Sequence, residues 1–235
     1  MSTINKTVGV CCGTSTGNDP VDAAQAYLLG KELAADGPLV RFGGSGTGIM
    51  KSFYEGYQSG YVQGVSAGME ACISQTYIED SRYFEGSAFC TVIPFSDEIE
   101  RLNYITTSSD INILGPGGLG TISEGLGNIA NQIASSYKSE ASKHTIIFDL
   151  ENLYSPLRMQ FLVCVLRGYT KPEAMNMIHR ATDYHQVMKL VGSLKPVKLN
   201  RISSLNNESR NDPGMDLARR ELLKLAADIL EKYSL

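Results

Sequence analysis

Apolar positions along this chain follow two periods, and the two alternate. Lys6 to Cys12 reads as a continuous apolar strand and Leu39 to Phe42 as a second, both short and rich in β-branched or aromatic residues. Pro20 to Ala35 carries helical spacing, with Asp19 placed to cap it and Pro20 at its first position. A helix is expected over Thr47 to Ser59 and a third strand over Tyr61 to Ser66. Ala67 to Ser87 shows neither period and reads as irregular, and an apolar run from Ala88 to Phe95 follows. A helix over Asp97 to Thr107, a buried strand over Asp110 to Leu114 and a helix to about Ser136 come next. His144 to Phe148 then reads as a strand and Pro156 to Arg167 as an apolar helix. Strands separated by helices predict an α/β fold: a Rossmann-like, doubly wound, mostly parallel sheet with helices on both faces. The ligand of such a sheet lies beyond the carboxyl ends of its strands.

The periodicity ends near residue 192. Residues 1–192 are therefore expected to form a single Rossmann-like domain, and 193–213, rich in Ser, Asn, Lys and Arg, a polar linker. In 214–235, Met215, Ala218, Leu222, Leu225, Ala226, Ile229 and Tyr233 recur at helical spacing, which predicts an amphipathic C-terminal helix. Such a helix either packs on its own domain or reaches over a neighbouring subunit.

Composition narrows the function. With 235 residues the chain can bury one large α/β core. A net charge of −4 without a basic tract disfavours a nucleic-acid polymer as partner, since that binding needs clustered Lys and Arg. The five cysteines are odd in number and lie mostly in apolar runs, so they read as reduced thiols of a cytoplasmic protein. The opening residues carry no signal-peptide apolar region, and no stretch has the length and apolarity to span a membrane. The three histidines lack paired ligand spacing and no CxxC occurs, so no metal is expected. Nor does any lysine stand out as a cofactor anchor, and no cofactor is expected.

Candidate chemistry concentrates in Gly115-Pro-Gly-Gly-Leu-Gly-Thr-Ile-Ser-Glu124. Here a strand turns through glycines into a helix, which aims unpaired backbone N–H groups and the positive end of the helix dipole at one spot. That arrangement suits a phosphate, with Gly117, Gly118 and Gly120 allowing close approach and Thr121 capping the helix and donating its hydroxyl. Glu124 lies one turn further along the same face, facing the ligand beyond the phosphate. Ser15, at the end of the first strand, is a second candidate contact, and a turn serine is its bland reading. Gly43, Gly44 and Gly48 form another glycine-rich strand-to-helix turn. Gly44 is a candidate substrate contact there, although close packing of helix on sheet explains such a turn equally well.

The run Pro116 to Glu124 is a complete PGGxGTxxE signature, and the chain thereby resembles the LOG family of nucleoside 5′-monophosphate phosphoribohydrolases, once mislabelled lysine decarboxylases. Gly43-Gly-Ser-Gly-Thr-Gly-Ile-Met50 is similar to the family's GGGxxGLM loop and Cys12-Gly-Thr-Ser15 to its Cys-Gly-Ser-Ser, in the same order along residues 6 to 192. The family's Met-His-Glu-Arg-Lys run falls on Glu98-Ile-Glu-Arg-Leu102. The resemblance implies cleavage of an N-glycosidic bond, with Arg101 and Glu124 catalytic, Glu100 near the substrate, and a homodimer or higher homo-oligomer. The chemistry fits those residue types. Breaking the bond develops a ribosyl cation, which a carboxylate stabilises while orienting the attacking water. Arg101 holds its proton too firmly for easy acid catalysis, so its part is electrostatic. Surface pairing of Arg101 with Glu98 or Glu100 is the bland alternative.

Departures from the family pattern bear on the substrate. Ile99 replaces the family's His and Leu102 its Lys, and the stretch after the third strand brings Tyr77, Tyr83 and Phe84, aromatics able to stack on a base or to cover a core edge. The cytokinin base is thus one option beside adenine, cytosine or a modified base. Two rivals stand beside the hydrolase: a nucleotide or molybdenum-cofactor carrier of the same fold, and an enzyme that passes the ribosyl group to another base.

Overall fold

The computed structural model describes residues 6–77, 80, 82–136, 141–195 and 197–198. Seven strands form one sheet in the order β4-β3-β2-β1-β5-β7-β8. They are β1 Thr7–Cys11, β2 Leu39–Phe42, β3 Met69–Ser74, β4 Cys90–Phe95, β5 Ile111–Leu114, β7 His144–Phe148 and β8 Ile178–Ala181. Every pairing within it is parallel. Two short strands, β6 Ala141–Ser142 and β9 Val197–Lys198, pair antiparallel beside it. Helices α1 Pro20–Asp36, α2 Gly48–Gly60, α3 Glu98–Ser108, α4 Leu119–Ser136, α5 Ser155–Leu166 and α6 Tyr184–Ser193 connect the strands. From β1 the order runs outward through β2, β3 and β4 on one side and through β5, β7 and β8 on the other. The chain therefore reverses direction between β1 and β5, and the loops leaving their carboxyl ends part to form a crevice.

Local chemistry sets the helix ends. Asp19 Oδ1 accepts from Val21 N at 2.8 Å, Pro20 opens α1, and Gly37 closes it in the left-handed region. Asp97 caps α3 through Glu100 N at 2.8 Å, and Asp183 caps α6 through Gln186 N at 2.9 Å. Among the described helices none is long and apolar enough to cross a membrane.

One expectation fails. Tyr61 to Ser66 is no strand: it is a loop in which Val62 and Val65 are exposed and Ser66 Oγ accepts from Val62 N and donates to Ala34 O. The third strand starts at Met69, inside the stretch read as irregular. Two valines at short spacing imitated a strand in a segment that only returns the chain from α2 to the sheet edge. The expected linker and C-terminal helix lie, but for 193–195 and 197–198, outside the described residues.

The two faces of the sheet differ in material. Side chains alternate along each strand, and those turned toward α1, α2 and α6 form one apolar cluster that includes Val8, Val10, Val40, Phe42, Met69, Ile73, Ile111, Ile113, Ile146 and Phe148. Each such side chain contributes about 1.5–3 kcal/mol when fully buried. Over this layer α1 and α2 touch backbone to backbone. A Cβ on Gly30 would lie 2.1 Å from Phe53 O, and one on Gly56 1.9 Å from Tyr27 O. The opposite face, under α3, α4 and α5, carries Gly9, Cys11, Arg41, Glu70, Asn112 and Thr145 at the alternate positions. Arg41 Nε donates to Glu70 Oε2 at 2.6 Å and its Nη1 to Ser108 O at 2.6 Å, while Tyr104 OH donates to the same carboxylate oxygen at 3.1 Å. These bonds fasten the C-terminal half of α3 to β2 and β3.

Candidate active site

The crevice at the switch point is a cavity of about 580 Å³ walled by the loop after β1, the start of α4 and the first turn of α3. Its two loops brace each other. Gly13 N donates to Pro116 O at 2.9 Å and Gly115 N to Cys11 O at 2.7 Å. The first N–H groups of α2 hold the β1 loop, Met50 N reaching Gly13 O at 3.0 Å and Ile49 N reaching Ser15 O at 3.3 Å. From below, the buried Tyr154 hydroxyl donates to Gly115 O at 2.6 Å, and its backbone N donates to the fully buried Asp149 at 2.7 Å. Asp149 is itself gripped by Arg180 Nε at 2.8 Å.

The sequence places Thr121 as a helix cap, but α4 begins at Leu119 and Thr121 sits in its first turn, its hydroxyl against Gly117. The donors above it are real nonetheless, because the first turn of a helix has no intrahelical acceptors for its N–H groups. Gly118 and Gly120 line the cavity, and a Cβ on either would meet no protein atom within 4 Å. Packing does not demand glycine there. The open space beside these two residues belongs to the cavity, which is what close approach of an anion to the backbone requires.

Glu124 follows Thr121 by three residues, so both point into the cavity from one helix face. Its carboxylate Oε1 takes Arg101 Nη2 at 2.6 Å, and Arg101 is bound a second time by Glu98 Oε2, at 2.7 Å from Nη2 and 2.8 Å from Nε. Arg101 comes from α3 and Glu124 from α4, so the pair joins two helices across the cavity floor. The Arg101 side chain is only 11% exposed. It also needs Gly43, where a Cβ would stand 2.7 Å from its Nη1. Burial opposes the charge of Arg101, yet Glu124 and Glu98 hold its pKa above the ordinary guanidinium value. Burial raises the Glu124 pKa above the ordinary carboxylate value, against the pull of Arg101 and of a hydrogen bond from the Cys11 thiol. Cys11 is in turn pushed far up by burial and then by the Glu124 charge, so it stays a neutral donor. Behind it Asn128 Nδ2 lies 3.8 Å from the Cys11 sulfur.

Ser15, Gly118, Gly120, Thr121, Arg101 and Glu124 are thus brought together around one cavity. Gly117, Gly44 and Glu100 are not among its lining residues. Gly117 packs under the turn, where a Cβ would lie 2.2 Å from Thr121 Oγ1 and 2.8 Å from Gly13 N. Gly44 has a φ of +71°, and a Cβ there would strike Ile73 at 2.6 Å, so its reason is conformation and close packing. Glu100 turns back to accept from Ser96 N at 3.0 Å and Ser96 Oγ at 2.6 Å, fixing the entry to α3. The carboxylate that reaches the site from this turn is Glu98, three residues before Arg101 on the same helix face. That spacing had suggested only a surface pair. Tyr77 and Tyr83 reach the cavity as well, whereas Phe84 goes into the core and stacks on Tyr54 at 3.7 Å.

A family model described as possible lysine decarboxylase matches residues 34–191. The chain belongs to that family, the LOG family. Among relatives of this LOG protein are two from Oryza sativa subsp. japonica, each described as a probable cytokinin riboside 5′-monophosphate phosphoribohydrolase. One is 27% identical over 191 residues, 80% of this chain and 73% of its own. The other is 27% identical over 204 residues, 85% of this chain and 90% of its own. Solved structures share the LOG protein's fold. The molybdenum cofactor binding protein of Rippkaea orientalis matches with a TM-score of 0.58 at 21% identity, over 80% of this chain and 96% of that one. The molybdenum cofactor carrier protein of Chlamydomonas reinhardtii matches with a TM-score of 0.53 at 17% identity, over 80% and 99%.

Proposed function

We propose that this LOG protein hydrolyses the N-glycosidic bond of a nucleoside 5′-monophosphate, giving the free base and ribose 5-phosphate. The observation that carries the reading is the Arg101–Glu124 pair, 2.6 Å apart and buried, set beside a helix N-terminus that opens into the same cavity. In this reading the backbone of Gly118 and Gly120, with the Thr121 and Ser15 hydroxyls, grips the phosphate, and that remote binding energy positions the ribose. Glu124 orients the attacking water and faces the cationic ribosyl carbon as it forms. Arg101 keeps Glu124 ionised despite burial and fixes its direction. The family model's description would require a lysine to carry pyridoxal phosphate, and among the described residues lining the cavity there is no lysine.

The names of the two rice relatives support the hydrolase, as does the site's ion pair, for which a carrier has no chemical use. A homodimer or higher homo-oligomer in the cytoplasm belongs to the same proposal. Leu119 and Ile99, 85% and 72% exposed beside the cavity, are apolar side chains that a second copy would cover.

The test is a chromatographic assay of the purified protein with a panel of nucleoside 5′-monophosphates and the matching nucleosides. Base and ribose 5-phosphate are expected from the monophosphates, far faster than base from the nucleosides. Glu124→Gln is expected to lower kcat by about a thousandfold. Binding without turnover across the panel would turn the reading to a carrier, and new nucleoside formed from an added base would turn it to a transferase.

A further inference from the structure

Resting on the glycosidase reading, we propose that the base this site releases is cationic: the substrate is a nucleoside 5′-monophosphate whose base is a quaternised heteroaromatic ring, a pyridinium or an N-alkylated purinium. Three independent features of the cavity converge on that class.

The first is charge. Among the described lining residues one guanidinium, Arg101, faces two carboxylates, Glu98 and Glu124, and is in contact with both at 2.7 and 2.6 Å. Glu124 alone would balance Arg101. Glu98, nearly half exposed at the cavity mouth, adds a negative charge that neither the phosphate nor a neutral base uses. The phosphate end, with its backbone N–H groups and hydroxyls, contributes no formal charge. A positive ring beside Glu98 offsets that excess at the base end of the cavity.

The second is the wall. Tyr77 and Tyr83 line the cavity with ring centroids 5.3 Å apart and planes 13° from parallel. The charges of Arg101 and Glu98 both act on the Tyr83 hydroxyl, which places this wall beside the ion pair. The backbone that carries Tyr83 is held in place: it bridges to Ser45, and Phe84 N donates to Gly44 O at 3.0 Å. Fixed aromatic faces bind a flat cation by the attraction of ring quadrupole for positive charge, in addition to stacking.

The third is the leaving group. A neutral base departs with the bonding electron pair and must gain a proton. Arg101 holds its proton, burial raises the Tyr83 hydroxyl and the Cys12 thiol, Ile99, Leu102 and Met50 have none to give, and Glu98 and Glu124 are both engaged as acceptors of Arg101, so no acid on this wall is set aside for a neutral base. A quaternised base needs no proton. The C1′–N bond breaks with its electron pair passing to the ring nitrogen, which becomes neutral. The water oxygen bonds to C1′, and the proton it sheds passes to Glu124 and on to solvent. Charge and atoms balance with no further reactant.

The experiment compares 7-methylguanosine 5′-monophosphate with GMP, and nicotinamide mononucleotide with AMP, on the full chain. The cationic member of each pair is expected to show at least about tenfold higher kcat/KM, the scale of a desolvated cation–π contact. Because quaternised bases also leave more readily by themselves, binding is measured separately by calorimetry on Glu124→Gln. There 7-methylguanosine 5′-monophosphate is expected to bind about tenfold tighter than GMP, and Glu98→Gln added to that variant is expected to lower the ratio while the tyrosine wall keeps part of it. Equal binding, or faster cleavage of GMP and AMP, overturns the substrate class and leaves the glycosidase standing. No cleavage of any of the four, together with no base release across the wider panel, overturns both.

Discussion

One face of the sheet carries the main apolar cluster, the other mixes polar side chains with two smaller apolar clusters, and the molecule uses them for different ends. Toward α1, α2 and α6 the strands present aliphatic and aromatic side chains, and α1 and α2 are pressed together until Gly30 and Gly56 touch backbone. Toward α3 and α4 they present Arg41, Glu70, Asn112, Thr145 and Cys11, the first two ion-paired with each other and the set hydrogen-bonded to the helices, beside the apolar Leu114 and Ile147. On this face Asn112 Oδ1, Asn128 Oδ1 and Gln132 Nε2 are buried with no protein partner among the described residues. Such groups cost stability, typically about 1–3 kcal/mol each. The contrast teaches that the main core lies on one side, while polar side chains on the other side fasten to α3 and α4, the helices that carry Arg101 and Glu124.

The comparison is broken most severely from the apolar side. Gly56→Ala forces a methyl to 1.9 Å from Tyr27 O, backbone that cannot step aside. It is expected to lower the unfolding free energy by about 3 kcal/mol in a urea titration. A smaller net effect is expected on the polar side when handled in pairs. Arg41→Met strands Glu70 and costs about 3 kcal/mol, whereas Arg41→Met with Glu70→Leu recovers most of that, since well-packed apolar residues replace buried ion pairs at little cost. A double variant as unstable as the single one would mean that this layer is held by more than its pairing. The smallest effect sharpens the link from layer to chemistry. In the proposed hydrolysis Glu124 acts as the carboxylate, and its pKa is already raised by burial. Activity is therefore lost as pH falls through that raised value. Cys11→Ala removes a donor that favours the carboxylate, so the acid limb of the kcat/KM profile is expected to move to higher pH, while Cys11→Ser, which keeps a donor, holds it in place.

The apolar face was legible in the sequence because its strands and helices carry unbroken periodicity. Asp19 with Pro20, and Asp97 before Glu98, marked helix starts that the structure reproduces. The turn from Gly115 to Glu124 was legible for the same kind of reason, being local: strand, glycines and helix are consecutive. Legibility failed where distant segments decide. Val62 and Val65 have the residue types of a strand, but no free sheet edge meets them, and β3 forms seven residues later. Glu100 and Glu98 stand on either side of one turn, and only the position of Ser96 determines that Glu100 caps the helix while Glu98 enters the cavity. Tyr77 and Phe84 are equally aromatic. Their fates part because Tyr54 waits under one of them.

Helix α3 is fastened to the sheet at one end and to α4, through Arg101, near the other. Its last turns are clamped by Arg41 to Ser108 O and by Tyr104 to Glu70, while its first turn, with Glu98, Ile99 and Leu102, forms the cavity rim. Ile99 is 72% exposed, so exchanging it leaves no void and strands no buried charge. The helix behaves as a peg whose root is conserved by physics and whose tip is open to variation. Exchanging Ile99 alters the shape presented at the cavity mouth while the contacts that keep Arg101 on Glu98 and Glu124 stay in place, so the rim is open to change by single steps.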